Sequence, residues 1–328
     1  MINLILFFLF AQNGFCNNGA LVPENIYNIV SQEILSGNYL KAEDTAGNLI
    51  KISPSEPAGY LFKASVINYR YIDYEDTSGE ASFFKLLDSA EKLSLEKLKK
   101  NPDDIWAEYF LYASKGLRGA RATSEGRFFY GLGKGMSGAS GMKKIIRKFP
   151  GFYDAYLLTG SYRFWKSKAS WLPVIGDERE IGIREAETAI QKGKFTGDLS
   201  NTVLIEMLLN YNIDKAAALA DEMSEKYPAC RLFKWQLGEA YKKSKRYEDA
   251  VGIFEQIAKN LQNDGIDDGS ARLVCFWKLA VLSKEVGKKK ECLYYCNKVL
   301  ELGKKTAVYN KQKERIEKAL KLIGEINK

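Results

Sequence analysis

The sequence predicts an all-α protein, an α-solenoid of about seven helix pairs closed by a C-terminal capping helix, and three observations predict it. Small and aromatic residues recur at helical spacing: Gly238 and Tyr241 lie three apart and Ala250 and Phe254 four apart, so each pair falls on one helix face. A small residue there lets two helix axes approach, and the ring fills the space beside it. Alanines four apart followed by a closing Pro recur elsewhere, at Ala42 and Ala46 before Pro54 and at Ala216 and Ala220 before Pro228. No parallel sheet is predicted anywhere along the chain.

Each element follows in order. The first pair runs from Glu24 to Ser36 and from Tyr39 to Ile52, with Gly37-Asn38 turning between them and Ala42 and Ala46 facing inward. The second begins at Tyr60, carries an insertion from Ile72 to Glu80, and resumes from Phe83 to Lys100 before Asn101-Pro102. The third starts near Trp106 and closes at Phe149-Pro150, longer than a compact repeat. In the fourth, Tyr153 to Gly160 opens the pair, Lys166 to Gly176 is irregular, and Glu178 to Gln191 is the second helix. The fifth holds Ala216 and Ala220, the sixth Gly238 to Phe254, and the seventh Trp277, Leu279, Ala280 and Gly287 after a polar loop from Asn260 to Ser270. A Lys-rich helix from Thr306 to Ile326 supplies the polar outer face that a terminal repeat needs.

The stretch Leu237-Gly238-x2-Tyr241 with Ala250-x3-Phe254 resembles the tetratricopeptide-repeat (TPR) family, whose members stack antiparallel helix pairs into a superhelix and usually hold a peptide or protein in the concave groove. Lys234 stands where the family most often has Trp, with Trp235 one residue late. The resemblance implies that first-helix residues face the groove. That selects Asn68, Tyr69, Lys115, Tyr162, Arg163, Trp235, Lys242, Lys243, Trp277 and Lys284, a set of aromatic anchors and cations suited to an acidic peptide or a terminal carboxylate. The alternative for Trp235 and Trp277 is the core, where large aromatics at helical spacing usually lie.

Composition narrows the function. The chain has 328 residues, 46% hydrophobic and 27% charged, enough to bury a substantial core, and only 7 prolines, so it is treated as one elongated domain. It contains no His, which removes the commonest general base and metal ligand and every Ser-His or Cys-His nucleophile. No enzyme activity, cofactor or metal is therefore expected. A formal charge of +8 favours acidic partners or an anionic membrane, and is also a common route to solubility.

Leu4 to Phe10 is an unbroken apolar run, too short to span a bilayer and suited to the core of a secretory signal, although no Lys or Arg precedes it. Residues 1–16 are expected to be that signal and residues 23–328 the solenoid. A lipoprotein signal ending at Cys16 is the alternative, with Phe15 standing where a small residue is wanted. Export would permit a disulfide between Cys275 and Cys292, but Cys292 and Cys296 also match the core positions of Ala250 and Phe254 one repeat on, and that reading is preferred.

Three further motifs carry competing readings. Gly133, Gly135 and Gly138 fit the G-x-G-x-x-G string of dinucleotide sites, yet no strand precedes them, and Gly131, Gly135, Gly138 and Met142 share one helix face that would press on a neighbour. From Lys115 to Lys148 nine cations face only Glu125 and interleave with Phe128, Phe129 and Tyr130, which fits lipid headgroups, an anionic polymer or a plain solvated face; export argues against nucleic acid. Trp171 to Glu180 clusters carboxylates beside aromatics as a glycosidase might, but Asp177 and Glu180 at helix-start spacing fit a capping box, with Trp171 and Pro173 packing the loop. The expected function is a non-enzymatic scaffold for protein interaction in the bacterial cell envelope. The alternative is a periplasmic accessory protein whose insertions in pairs two to four close as a lid over a small anionic ligand.

Overall fold

Fifteen α-helices, with one 3-10 turn at Asp198–Ser200, make up the regular structure of the described residues, which in this computed structural model are 24–167 and 176–327. The helices are α1 (Glu24–Leu35), α2 (Tyr39–Ile52), α3 (Pro57–Tyr74), α4 (Glu80–Lys100), α5 (Ile105–Ser124), α6 (Phe128–Lys148), α7 (Ala155–Lys166) and α8 (Arg179–Lys192). After the 3-10 turn come α9 (Asn201–Leu208), α10 (Ile213–Lys226), α11 (Arg231–Lys243), α12 (Tyr247–Gln262), α13 (Ser270–Glu285), α14 (Lys289–Leu302) and α15 (Thr306–Ile326). Consecutive helices pack on one another, giving the expected seven pairs and the cap.

Local chemistry sets many boundaries. Pro57 starts α3 at a position where its missing N–H costs nothing. Asp104 Oδ1 accepts the backbone N–H groups of Trp106 and Ala107 at 3.1 and 2.9 Å, and Asn212 Oδ1 accepts that of Lys215 at 3.0 Å. Lys97, Lys99 and Lys100 sit in the last turn of α4, where the helix dipole favours cations. Ala42, Ala46, Ala216 and Ala220 are fully buried, and a Cβ on Gly238 would stand 2.7 Å from Phe254 Cζ, so the small residues do set the close approach.

Three expectations need correction. The insertion from Ile72 to Glu80 shrinks to residues 75–79, because α3 starts three residues early and runs on to Tyr74, and α4 begins at Glu80. The excess length of the third pair is helix, 20 and 21 residues in α5 and α6, so the second and third pairs supply no lid. The capping box at α8 does not form. Asp177 Oδ1 does accept the Arg179 N–H at 3.0 Å, but the Glu180 carboxylate turns to the Tyr211 hydroxyl at 2.7 Å. Trp171 and Pro173 lie outside the described residues, as do residues 1–16 with Cys16.

The odd-numbered helices touch along the chain to form the inner layer of the superhelix: α1 meets α3, α3 meets α5, α5 meets α7, α7 meets α9, α9 meets α11, and α13 meets α15. The winding is tight enough that α3 also touches α11 and α13 across the axis. Gly37, with φ of +74°, turns from α1 to α2 in the left-handed region, and a Cβ there would stand 3.2 Å from the Ala229 carbonyl oxygen, between the fifth and sixth pairs. A main hydrophobic core runs from Val30 to Leu282, and a second, around Cys292, Cys296 and Val299, joins the seventh pair to α15. Cys230, Cys275, Cys292 and Cys296 are all free and buried, so the Cys275 to Cys292 bridge is not formed and the preferred core reading holds.

Candidate interaction surfaces

The loop between α8 and the 3-10 turn occupies the superhelix axis. Buried Asp154 accepts the backbone N–H of Lys194 at 3.0 Å and of Phe195 at 2.6 Å, and the Thr196 hydroxyl at 3.1 Å. So held, the Phe195 ring sits among Tyr27 of α1, Phe62 of α3 and Trp106, Tyr109 and Phe110 of α5, with ring centres 5.2 to 6.3 Å away. Aromatic edges and faces meet there in the place an inner-face ligand would take.

A second closure lies between α3 and α11. Arg231 grips Asp73 with both ends of its guanidinium, Nε to Oδ1 at 3.1 Å and Nη2 to Oδ2 at 2.7 Å, and reaches Asp264 Oδ2 with Nη1 at 3.0 Å. Trp235 donates from Nε1 to Asp73 Oδ1 at 3.0 Å, and the Tyr74 hydroxyl donates to Asp264. Burial alone would lower the Arg231 guanidinium, but Asp73 and then Tyr74 outweigh it and push it up, so Arg231 stays charged. Bidentate geometry and full pairing make this a latch between residues 158 apart in the chain. One sequence signal pointed to it: Arg231 stands in the first turn of α11, where the helix dipole disfavours a cation unless carboxylates compensate.

The predicted groove residues divide among these environments. Tyr69 and Trp235 pack against the main core where α3 meets α11, and Trp277 packs against the second core. Asn68 is half-buried on α3. Lys115 lies over the Tyr112 ring at 5.4 Å, and Tyr162 is half-buried on α7 beside Gly135 of α6. Arg163 donates to Glu178 at 2.5 Å and forms an ion pair with Glu185 at 3.0 Å, pinning α8 to α7. Lys243 donates to the Leu209 carbonyl at 2.9 Å, satisfying the end of α9, and Lys284 pairs with Glu325 of α15 at 2.9 Å. Lys242 reaches Glu239 at 3.6 Å, and Lys278 of α13 pairs with the same carboxylate. Burial would raise the Glu239 carboxyl, but Lys278 and then Lys242 hold it below its ordinary value. Two cations share one carboxylate here, which leaves this part of the inner layer net positive.

The glycines of α6 face α5. A Cβ on Gly131 would stand 2.2 Å from Thr123 Oγ1 and 2.7 Å from the Gly119 carbonyl, and one on Gly138 would stand 2.9 Å from the Tyr112 carbonyl and 3.0 Å from the Gly116 nitrogen. Gly141 would drive a Cβ into the Tyr112 ring at 2.1 Å. Gly135 brings its backbone against Gly119, and Gly133 faces open space. The G-x-G-x-x-G string is therefore a helix-packing surface with no strand before it. Two shallow depressions, of about 540 Å³ on α2 around Glu43, Gly47 and Lys63 and of about 280 Å³ between α8 and α10 around Arg184 and Tyr211, lie away from the predicted groove residues.

No protein-family model matches the sequence, and no curated protein does. Among solved structures, a tetratricopeptide repeat protein from Parabacteroides merdae ATCC 43184 is similar over 91% of this chain and 97% of its own, at 14% identity and a TM-score of 0.42. A Rap protein complexed with Competence and Sporulation Factor is similar over 92% of this chain and 86% of its own, at 11% identity and a TM-score of 0.51. The seven stacked helix pairs, with the likeness to the Rap structure, give the described residues the fold of an α-solenoid of TPR-like repeats.

Proposed function

We propose that the protein is a non-enzymatic scaffold that holds a protein or peptide with acidic groups in the bacterial cell envelope. The observation that carries this reading is the shared carboxylate of α11 and α13: Lys242 and Lys278 flank Glu239 on the inner layer, and an incoming carboxylate would complete the pairing. The Rap protein of similar fold was solved with Competence and Sporulation Factor, which supports a bound partner for a solenoid of this shape. The Phe195 plug fills the inner face of the first three pairs and the Asp73 latch holds the first turns of α11, so the proposed docking region is the later turns of α11 with α13. The apolar run before Cys16 supports export. Peripheral contact with anionic lipid through the segment from Lys115 to Lys148 belongs to the same reading.

Affinity capture with the tagged protein from its own envelope extract tests it. A single enriched protein that is lost in Lys242→Glu, with the folded state retained, is the expected result. A co-purifying small anion and no protein would replace the scaffold with the ligand-binding alternative, and recovery of the wild-type protein only from the cytoplasmic fraction would remove the envelope.

A further inference from the structure

The first turns of helix α6 are turned inside out, while Met142 and Ile145 in its second half are buried in the ordinary way. In most helices of a water-soluble fold the large apolar side chains face the neighbour and small or polar ones face solvent. Here Gly131, Gly138 and Gly141 take the face against α5, so the large apolar residues of the first turns point outward. Phe128, Phe129, Leu132 and Met136, at spacings of one, four and eight, are exposed by 65%, 94%, 54% and 53%. Small residues between helices with large apolar residues outside is the arrangement by which helices pack in lipid, where exposed apolar surface costs nothing. In water a contiguous patch of this kind marks an interaction surface.

Charge identifies what it meets. Helical periodicity carries the outward face of the first three turns into Lys143, Lys144 and Arg147. There is no Asp or Glu anywhere in α6, and the nearest in sequence, Glu125, is engaged by Arg121 and Arg127 at 2.5 Å each. An apolar half followed by a cationic half on one face matches the depth profile of an anionic bilayer: acyl boundary first, then phosphate headgroups. The helix is not long and apolar enough to cross a membrane.

We infer that the α5–α6 hairpin is a membrane-inserting wedge, with Phe128, Phe129, Leu132 and Met136 entering the acyl boundary of an anionic bilayer and Lys143, Lys144 and Arg147 binding its headgroups. The inference deepens the lipid contact of the reading above and rests on it, but not on the partner site at Lys242. It also assigns the α5–α6 glycine seam a purpose, since only small residues on the inner face free the large ones for the outer.

The test is co-sedimentation of the full chain with phosphatidylglycerol-containing and pure phosphatidylcholine vesicles, comparing wild type with Phe129→Ser/Leu132→Ser and with Lys143→Glu/Arg147→Glu. Any contribution of the apolar run from Leu4 to Phe10 is then common to all three. The wild type should prefer anionic vesicles and lose affinity with added salt, and each variant should bind about tenfold more weakly or less. Phe129, Leu132 and Arg147 are exposed and Lys143 is half-buried with its cation unpaired with any carboxylate on α6, so the unfolding midpoints should stay close to that of the wild type. Equal binding by all three proteins, or equal binding to the two lipids, overturns the wedge. Sedimentation without lipid that shows a wild-type dimer lost in Phe129→Ser/Leu132→Ser also overturns it, in favour of a second copy on this face. Failure here with capture through Lys242 intact removes the wedge alone, and failed capture with vesicle binding intact removes the partner site alone.

Discussion

Alanine substitutions along the glycines of α6 should give effects of opposite sign within a few residues. Gly133→Ala adds a methyl group where nothing lies within 4 Å, so only helix propensity acts and stability should rise by about 1 kcal/mol. Gly135→Ala meets nothing nearer than Tyr162 Cδ2 at 3.8 Å, an ordinary contact, and should stabilise by a similar amount. Gly138→Ala gains the same propensity but places its methyl 2.9 Å from a backbone carbonyl and 3.0 Å from a backbone nitrogen, neither of which a rotamer change can move. Overpacking of this kind costs about 1–3 kcal/mol, and here it acts on a whole helix seam, so the net effect should be a loss of about 1–2 kcal/mol. Gly131→Ala, at 2.2 Å from Thr123 Oγ1 and 2.7 Å from a carbonyl, should lose more. Urea unfolding followed by circular dichroism reads the difference as a shift in midpoint at constant slope. A Gly138→Ala protein as stable as Gly133→Ala would refute the seam. It would also reopen a loop-like role for the G-x-G-x-x-G string.

Three further outcomes follow from the buried polar groups. Asp73→Ala leaves Arg231 with Asp264 alone and orphans the Trp235 N–H, so it should cost about 3–5 kcal/mol and open the contact of α3 with α11, seen as a larger radius of gyration in solution scattering. An unchanged radius and a loss below about 1 kcal/mol would show that the latch does not hold the winding. Glu239 is held below its ordinary value by Lys278 and Lys242, so its contribution is present above the unfolded-state value and disappears as pH falls through the lower folded value. Stability should therefore drop below about pH 4 in the wild type and less steeply in Glu239→Gln, and identical pH profiles would remove Glu239 from the account. Burial pushes the Cys230 and Cys296 thiols up to about 12. With Cys275 and Cys292 also buried, none of the four should react with a thiol reagent near about pH 8 until the protein is unfolded, as mapped by mass spectrometry, and rapid native labelling of any one would contradict its burial.

Periodicity and small residues were local signals, and they made the helices, their pairing and the cap legible: Gly238 against Phe254, Ala42 and Ala46 inside, Pro closing the second helix of the first, second, third and fifth pairs. Where the reading failed, a longer-range effect had won. The boundary at Ile72 moved because α3 keeps burying side chains to Tyr74, which bonds Asp264 in the sixth-to-seventh connection, a partner no local window contains. Glu180 left its capping role because Tyr211, on the next pair, offers a hydroxyl. For the groove, the ten residues lie largely on the inner-layer helices the resemblance implied, yet only the structure shows Trp235 spent on Asp73 and Lys243 on the end of α9.

By itself the sequence determined an all-α solenoid, its count of helix pairs and the absence of histidine chemistry, because each depends on residues within a turn or two of one another or on composition alone. Tertiary structure decided how tightly the superhelix winds, that Phe195 fills its axis, that Arg231 ties α11 to α3, and that α6 shows its phenylalanines to the outside. Those outcomes depend on small angles between successive pairs, which add along the chain until residues 158 apart meet, and a sum of small rotations is not written in any one segment.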